Sequence, residues 1–304
     1  MAKRATQYVV VDAFAGEAFK GNPAAVCLLE DEDVHGADER WLQSVAAEFN
    51  APMTAFLSRT LNASSAAPAP PRFHIRWFSP ATEVALCGHA TLASAHFLFT
   101  AVLVPAPEED MMAEFVTKSG MTLAAKKVPA PVPEKKTKAF IELDFPICEV
   151  LVDCTASAGH ELPSSLFLND GLKVASVHRT SITDDFIVEL SSGKEVVHVL
   201  PNVEQMKKCA GRAVIVTGQA PPGSAFDFVS RVFGPKLGVD EDLVCGSAHC
   251  ALAPYWAGKL GKQKLTAFQV SKRNGTLYLE LDDANRRVKI QGEAVTVMSG
   301  ALLA

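Results

Sequence analysis

Two cysteines stand where a thiol can do proton chemistry, and each is followed by glycine: Cys87-Gly88 and Cys245-Gly246. Each pair opens a run of small and apolar residues that reads as a helix, beginning His89-Ala90-Thr91-Leu92 in one case and Ser247-Ala248-His249-Cys250 in the other. A helix start offers unpaired N–H groups and the positive end of the helix dipole. Both favour a thiolate and suit a carboxylate ligand. The glycine lets the backbone come close to that ligand. Two such ends can move a proton at a carbon next to a carboxylate, one thiolate removing it and a second thiol giving one back. On this reading Cys87 and Cys245 are base and acid, and Gly88, His89, Gly246 and Ser247 supply donors to the carboxylate.

His89 follows Cys87 by two residues, close enough to polarise the thiol or a ligand. Asp242, three residues before Cys245, could orient His89; the plainer reading is a solvated loop carboxylate in the run Asp240-Glu241-Asp242. A single cysteine in an apolar setting is ordinarily a small hydrophobe. Cys27, Cys148, Cys154 and Cys209 are read that way, and Cys250 as packing one turn into its helix. Cys245, His249 and Cys250 could be drawn as a metal set, but no CxxC or HxxxH pair supports one and no metal is expected. No phosphate-binding loop and no dinucleotide glycine pattern occurs, so no cofactor is expected.

The elements that must carry these residues are themselves repeated. Arg76-Trp77-Phe78-Ser79-Pro80 precedes the first Cys-Gly, and Arg231-Val232-Phe233-Gly234-Pro235 precedes the second, about 155 residues further on. Each copy reads as strand, loop, Cys-Gly, helix. The helices predicted over 88–102 and 247–259 are small or apolar on almost every side and so must be buried on almost every side; Pro254 should kink or delay the second. A helix is also predicted over 38–49, with Trp41, Leu42, Val45, Ala46 and Phe49 at helical spacing, and a short one over 203–209. Strands are expected at 7–14, 24–29, 53–57, 72–79, 114–118, 121–127, 139–145, 172–178, 186–190, 213–216, 226–233, 265–270, 276–281, 288–290 and 294–297. Residues 62–71 read as a proline-rich loop and 128–136 as a linker or loop near the domain boundary. Strand-rich halves that each contain one enclosed helix suggest an α+β fold, with a sheet curled round a central helix in each half.

Bulk properties agree with two ordinary domains in 304 residues. A net charge of -5, without a basic stripe, points away from nucleic acid and anionic membranes. No apolar run reaches membrane-spanning length, and the N-terminus has no apolar leader segment. Seven scattered cysteines are read most simply as reduced thiols in the cytoplasm.

Longer motifs resemble a known family. Val11-Asp12-Ala13-Phe14 and Phe19-Lys20-Gly21-Asn22-Pro23-Ala24-Ala25-Val26 look like the opening of the PhzF-like proteins, the phenazine-biosynthesis isomerase and its relatives. Arg76 to Thr91 (RWFSPATEVALCGHAT) is similar to that family's central motif, and Glu241 to His249 (EDLVCGSAH) to its second. Tyr255-Trp256, Phe268-Gln269 and the closing stretch 292–300 extend the likeness nearly end to end. The resemblance implies the diaminopimelate epimerase-like fold: two pseudo-symmetric β-barrel domains, each around a central α-helix. The domains are expected at 1–127 and 128–304, with the final strand near 294–304 returning to the first. It also implies a cofactor-independent isomerase, roles for His89, Asp242 and Ser247, and a place for Asn22 in the turn near the site. Relatives of this kind are commonly dimers, which makes a homodimer the assembly to look for.

Two departures from the family pattern redirect the chemistry. The family's acid/base glutamate lies in Ser-Glu-Thr-Ala-Phe, where this chain has Pro52-Met53-Thr54-Ala55-Phe56, and methionine carries no proton. In the second motif cysteine, as Cys245, replaces the usual threonine. The pair then looks like the two-thiol diaminopimelate epimerases and proline racemases. The leading expectation is a racemase or epimerase of a small carboxylic acid, an amino acid among the candidates, working between Cys87 and Cys245. The alternatives are a PhzF-type isomerase using His89 and Asp242 without the glutamate, an inactive metabolite-binding homologue, and, more weakly, a thiol redox sensor.

Overall fold

The computed structural model describes residues 6–29, 34, 36–60, 70–104, 111–132, 140–154, 165–181 and 183–303. The chain divides into two compact units, 1–145 with 290–304, and 146–289.

In the first unit, β1 (Thr6–Ala13) runs antiparallel to β2 (Asn22–Leu29), with Val9 opposite Val26. Helix α1 (Glu39–Phe49) carries the chain over to β3 (Met53–Arg59), which lies parallel to β2. α1 starts where Asp38 accepts the N–H of Arg40 and stops at Asn50, whose φ of 48° is left-handed. Its Leu42, Val45 and Ala46 pack with Phe56 and Phe78. β3 pairs antiparallel with β4 (Arg72–Phe78), and β4 carries two strands on its other edge: the two-residue β5 (Glu83–Val84) and the parallel β6 (Met112–Thr117). β7 (Thr122–Val128) and β8 (Phe140–Pro146) follow as antiparallel neighbours. Val128 pairs directly with Phe140, so 128–136 connects two strands of one unit and is not a linker between units. The first unit therefore runs past residue 127. The loop at 62–71 and the stretch 133–136 lie largely outside the described residues.

Helix α2 (Gly88–Phe97) packs against β1, β2, β3, β7 and β18 (Ala294–Leu302). Every residue of it except His96 is buried. It then widens into a π-helical turn, Leu98–Val102, closed by the Leu103 N–H on the Leu98 carbonyl at 2.8 Å. β18 lies antiparallel to β1, Thr6 opposite Leu302, so the last strand of the chain belongs to the first unit.

The second unit repeats this order. β9 (Val150–Asp153) and β11 (Phe186–Leu190) flank β10 (Val174–Thr180); α3 (Gly193–His198) and α4 (Val203–Met206) lead to β12 (Val214–Gln219), parallel to β11. β13 (Phe228–Gly234) pairs antiparallel with β12 and the short β14 (Val239–Asp242), and parallel with β15 (Lys264–Gln269). β16 (Gly275–Asp282) follows antiparallel, and β17 (Arg287–Gly292) takes the chain back into the first unit. Helix α5 (Gly246–Leu260) lies against β9, β15 and β16. Pro254 does not break it. The proline has no N–H for the Cys250 carbonyl four residues earlier, and that carbonyl accepts the Cys148 N–H at 3.1 Å instead. Trp256 pins the helix from its other face, stacking on Phe228 and donating its indole N–H to Thr217 Oγ1 at 3.0 Å. Among the described residues no helix is long and apolar enough to cross a membrane.

The repeated arginine proves structural. Alternation places Arg76 on the face of β4 away from Phe73, Ile75 and Trp77, yet its side chain is fully buried. It grips Glu83 with Nε and Nη2 at 2.7 and 2.8 Å, adds Glu39 at 2.8 Å, and lies 5.1 Å over the Phe78 ring. Arg231 does the same with Glu241, at 2.7 and 3.0 Å, and lies 5.0 Å over Phe233. Each arginine ties its central strand to the short polar strand that leads to the cysteine. Removing one partner of a buried bidentate pair strands the other. Arg76→Leu should therefore cost about 2–4 kcal/mol, read as a fall in the urea unfolding midpoint.

Candidate functional site

In the first unit, Cys87 is the N-cap of α2, in extended conformation, and its side chain makes no capping bond to the helix. Thr91 fixes the Cys87 carbonyl twice, through its N–H at 3.1 Å and its hydroxyl at 2.7 Å. The sulfur stands 3.4 Å from Nδ1 of His89, which is buried in the first turn beside Gly88. The same Nδ1 lies 3.2 Å from Nδ2 of Asn22, the first residue of β2. With the amide donating, Nδ1 is an acceptor and the ring proton sits on Nε2. A thiol beside this nitrogen can pass it a proton, leaving a thiolate–imidazolium pair, once the Asn22 amide turns its oxygen to the ring.

Asn22 is delivered by a turn that requires glycine. Gly21 has φ +64°, and a Cβ there would lie 2.1 Å from the Ala13 carbonyl oxygen. Asp12 braces the same turn by accepting the Phe19 N–H at 2.6 Å. Met53 opens β3 beside Ala24 and is buried. Position 53 thus presents a thioether, which has no proton to give.

In the second unit, Cys245 is the N-cap of α5, likewise extended and without a capping bond. Its sulfur is 3.4 Å from Ser247 Oγ, and Gly246 starts the helix. Burial holds this thiol well above its ordinary pKa, and the Asp242 carboxylate pushes the same way; Ser247 and the Ala248 N–H oppose them. Cys245 therefore keeps its proton at neutral pH. Asp242 lies in β14, paired with Val232, because Glu241 beside it is the partner of Arg231; the acidic run is a strand and not a solvated loop. Within its unit Asp242 acts on Cys245.

His249 is fully buried and structural. Nδ1–H donates to the Cys245 carbonyl at 2.7 Å, which leaves Nε2 as the acceptor facing Ser230 Oγ at 3.4 Å. Cys250 points its thiol to the Gly246 carbonyl, so Cys245, His249 and Cys250 do not converge as metal ligands. All seven cysteines are free.

Sequence reasoning missed two residues here. Gln269 accepts the Cys245 N–H at 2.8 Å and donates to the Asp242 carbonyl at 2.7 Å. Arg212, held by Asp185 through two bonds of 2.9 and 2.8 Å, is within electrostatic reach of Cys245 and could meet an anionic ligand there. Neither sits in a Cys-Gly motif. The only signal was Gln269 next to Phe268 in the family likeness.

Each unit thus has its own described group: Cys87, His89 and Asn22 in the first, and Cys245 with Ser247 and Asp242 in the second. The phenazine biosynthesis-like protein family matches residues 11–300. A protein of Halalkalibacterium halodurans named an uncharacterised isomerase is 39% identical over 298 residues, 98% of each chain. A solved PhzF-family structure from Enterococcus faecalis aligns with a TM-score of 0.76 at 35% identity, covering 98% of this chain and 99% of that one. At 14% identity the likeness extends, in fold alone, to a hydroxyproline epimerase of Agrobacterium vitis, with a TM-score of 0.57 over 99% of this chain and 92% of that one. The fold is α+β, of the diaminopimelate epimerase-like kind.

Burial lowers the pKa of His249 from 6.5 to about 4. The unfolded chain takes up this proton near pH 6.5 while the folded chain resists it until about 4, so the stabilisation is present above pH 6.5 and lost as pH falls toward 4. The loss amounts to about 3 kcal/mol for this group. His96, lowered to about 4 by burial in the first unit, adds in the same direction. Urea midpoints at pH 7 and pH 4.5 should show the drop. In His249→Gln, which can still donate to the Cys245 carbonyl, the drop should be smaller.

Proposed function

Because the chain belongs to the phenazine biosynthesis-like family, we propose that its isomerase chemistry is the racemisation or epimerisation of a small carboxylic acid, with a 2-amino acid the first candidate. One proton is exchanged at the carbon next to the carboxylate, by Cys87 and Cys245 in turn. The observation that carries this reading is the N-cap cysteine found in both units, each with a polar side chain 3.4 Å from its sulfur, His89 at Cys87 and Ser247 at Cys245. Met53 supports it from the other direction, since the family's carboxylate is absent. Relatives named isomerases support the reaction class.

The steps balance as follows. His89 takes the Cys87 proton, and the thiolate removes the α-proton, leaving an enediolate-like carbanion. The free N–H groups at the starts of α2 and α5 stabilise the charge that develops on the carboxylate. Cys245, holding its proton, delivers it to the opposite face and becomes the thiolate. Asp242 disfavours that anion, so Cys245 is readily reprotonated. Substrate of the opposite hand runs these steps in reverse, from the form in which Cys245 is the thiolate and Cys87 and His89 hold their protons; exchange with water resets the enzyme, His89 giving up its proton and Cys245 taking one.

The test is incubation in deuterated water with a panel of 2-amino and 2-hydroxy acids, reading α-deuterium by NMR. Exchange is expected for at least one acid, and Cys87→Ser and Cys245→Ser should each lower it by about 100-fold or more. No exchange with any acid overturns the reading. Full activity in Cys245→Ala with loss in His89→Ala would move the chemistry to His89 and Asp242.

A further inference from the structure

The turn that presents Cys245 is held from outside its own segment. Residues 242–245 link β14 to α5, and one planar amide meets both ends: Gln269 Oε1 accepts the Cys245 N–H at 2.8 Å, and Gln269 Nε2 donates to the Asp242 carbonyl at 2.7 Å. Gln269 is itself fully buried. Its backbone is fixed on both sides, opposite Ser230 of β13 in parallel register and opposite Gly275 of β16 in antiparallel register. The next residue, Val270, donates to the Ser230 carbonyl at 2.9 Å. A donor and an acceptor are needed at once, at the reach of a three-atom stem. Glutamine supplies that; an ionised glutamate lacks the donor, an aliphatic side chain lacks both groups, and asparagine is one carbon short.

The first unit has no counterpart at the matching place. Thr117 stands opposite Ile75 in the parallel β4–β6 pair as Gln269 stands opposite Ser230 in the β13–β15 pair. The Thr117 hydroxyl bonds Ser119 Oγ at 2.9 Å. The first unit thus has a threonine where the second has this glutamine.

We propose that Gln269 is a positioning residue for the second thiol: its amide closes the 242–245 turn and thereby holds the Cys245 sulfur in place beside Ser247 and near the Asp242 carboxylate. This rests on the reading of Cys245 as the proton donor. The brace sets the place of the Cys245 thiol, and it works on that thiol without touching substrate.

The experiment is the pH dependence of iodoacetamide alkylation at Cys245, read peptide by peptide by mass spectrometry, with Cys87 in the same samples as internal control. In the unaltered chain the Cys245 rate should stay low at pH 8 and climb only at higher pH. Gln269→Met keeps length and apolar packing but loses both hydrogen bonds. In it the Cys245 midpoint should fall by about one pH unit or more, while the Cys87 profile stays where it was. Gln269→Asn, with the right groups on too short a stem, should shift the same way; it serves as the second variant if Gln269→Met does not fold, with thermal unfolding measured first on each. Cys245 profiles that superimpose on the unaltered chain overturn the proposal. So does an equal shift at Cys87, which would mean general loosening. Failure of the isomerase reading would be seen separately, as absence of α-proton exchange, since alkylation reports on the thiol and not on turnover.

Discussion

A helix without a polar side has to be enclosed. That constraint governs the first unit: apart from His89 and His96, α2 is built from glycine, alanine, leucine, phenylalanine and small hydroxyl residues, and β1, β2, β3, β7 and β18 close over it. Enclosure uses up the flanks of the helix and leaves its first turn as the place where unpaired backbone N–H groups can face a ligand. Small residues bring the strands near, and the buried hydroxyls of Thr91 and Ser94 turn back onto the helix carbonyls, so that no polar atom of theirs is stranded.

The two copies have kept their scaffold and diverged in their chemistry. Both use an arginine–glutamate pair under an aromatic ring to hold the short strand before the cysteine. The same device thus fixes the approach to both thiols. Beyond it the environments part. Cys87 faces an imidazole that can relieve it of a proton, whereas Cys245 faces a carboxylate that opposes its ionisation.

Much of this was legible in the residues. The enclosed helices were visible because alanine and leucine on every side of a helix have one explanation, and most strands because their apolar residues alternate. The short strands β5 and β14 were not. They are two and four residues long, acidic, and paired on account of an arginine across the sheet. Arg76 showed as an outward polar residue because alternation reports which face a side chain takes and not what covers that face. The stretch 128–136 has the proline and lysine content of a linker, yet β7 and β8 pair on either side of it, and composition carries no information about that pairing. Cys87, His89 and Asn22 could be placed together from their motifs. The unequal thiols could not, since the difference arises from a glutamine and an aspartate brought to Cys245 by the β13–β15 and β13–β14 pairings.

The pairing of β1 with β18 has a consequence for how the protein is made. Residues 146–289 form a continuous stretch and can complete their unit as soon as they have emerged from the ribosome. The first 145 residues emerge earlier but lack one strand until residue 302 is released. Until then the free edge of β1 is a template for other chains, and α2 is missing part of its cover. The portion synthesised first is thus the last to close, and a messenger truncated just before its final codons would yield an intact second unit tethered to an aggregation-prone first one.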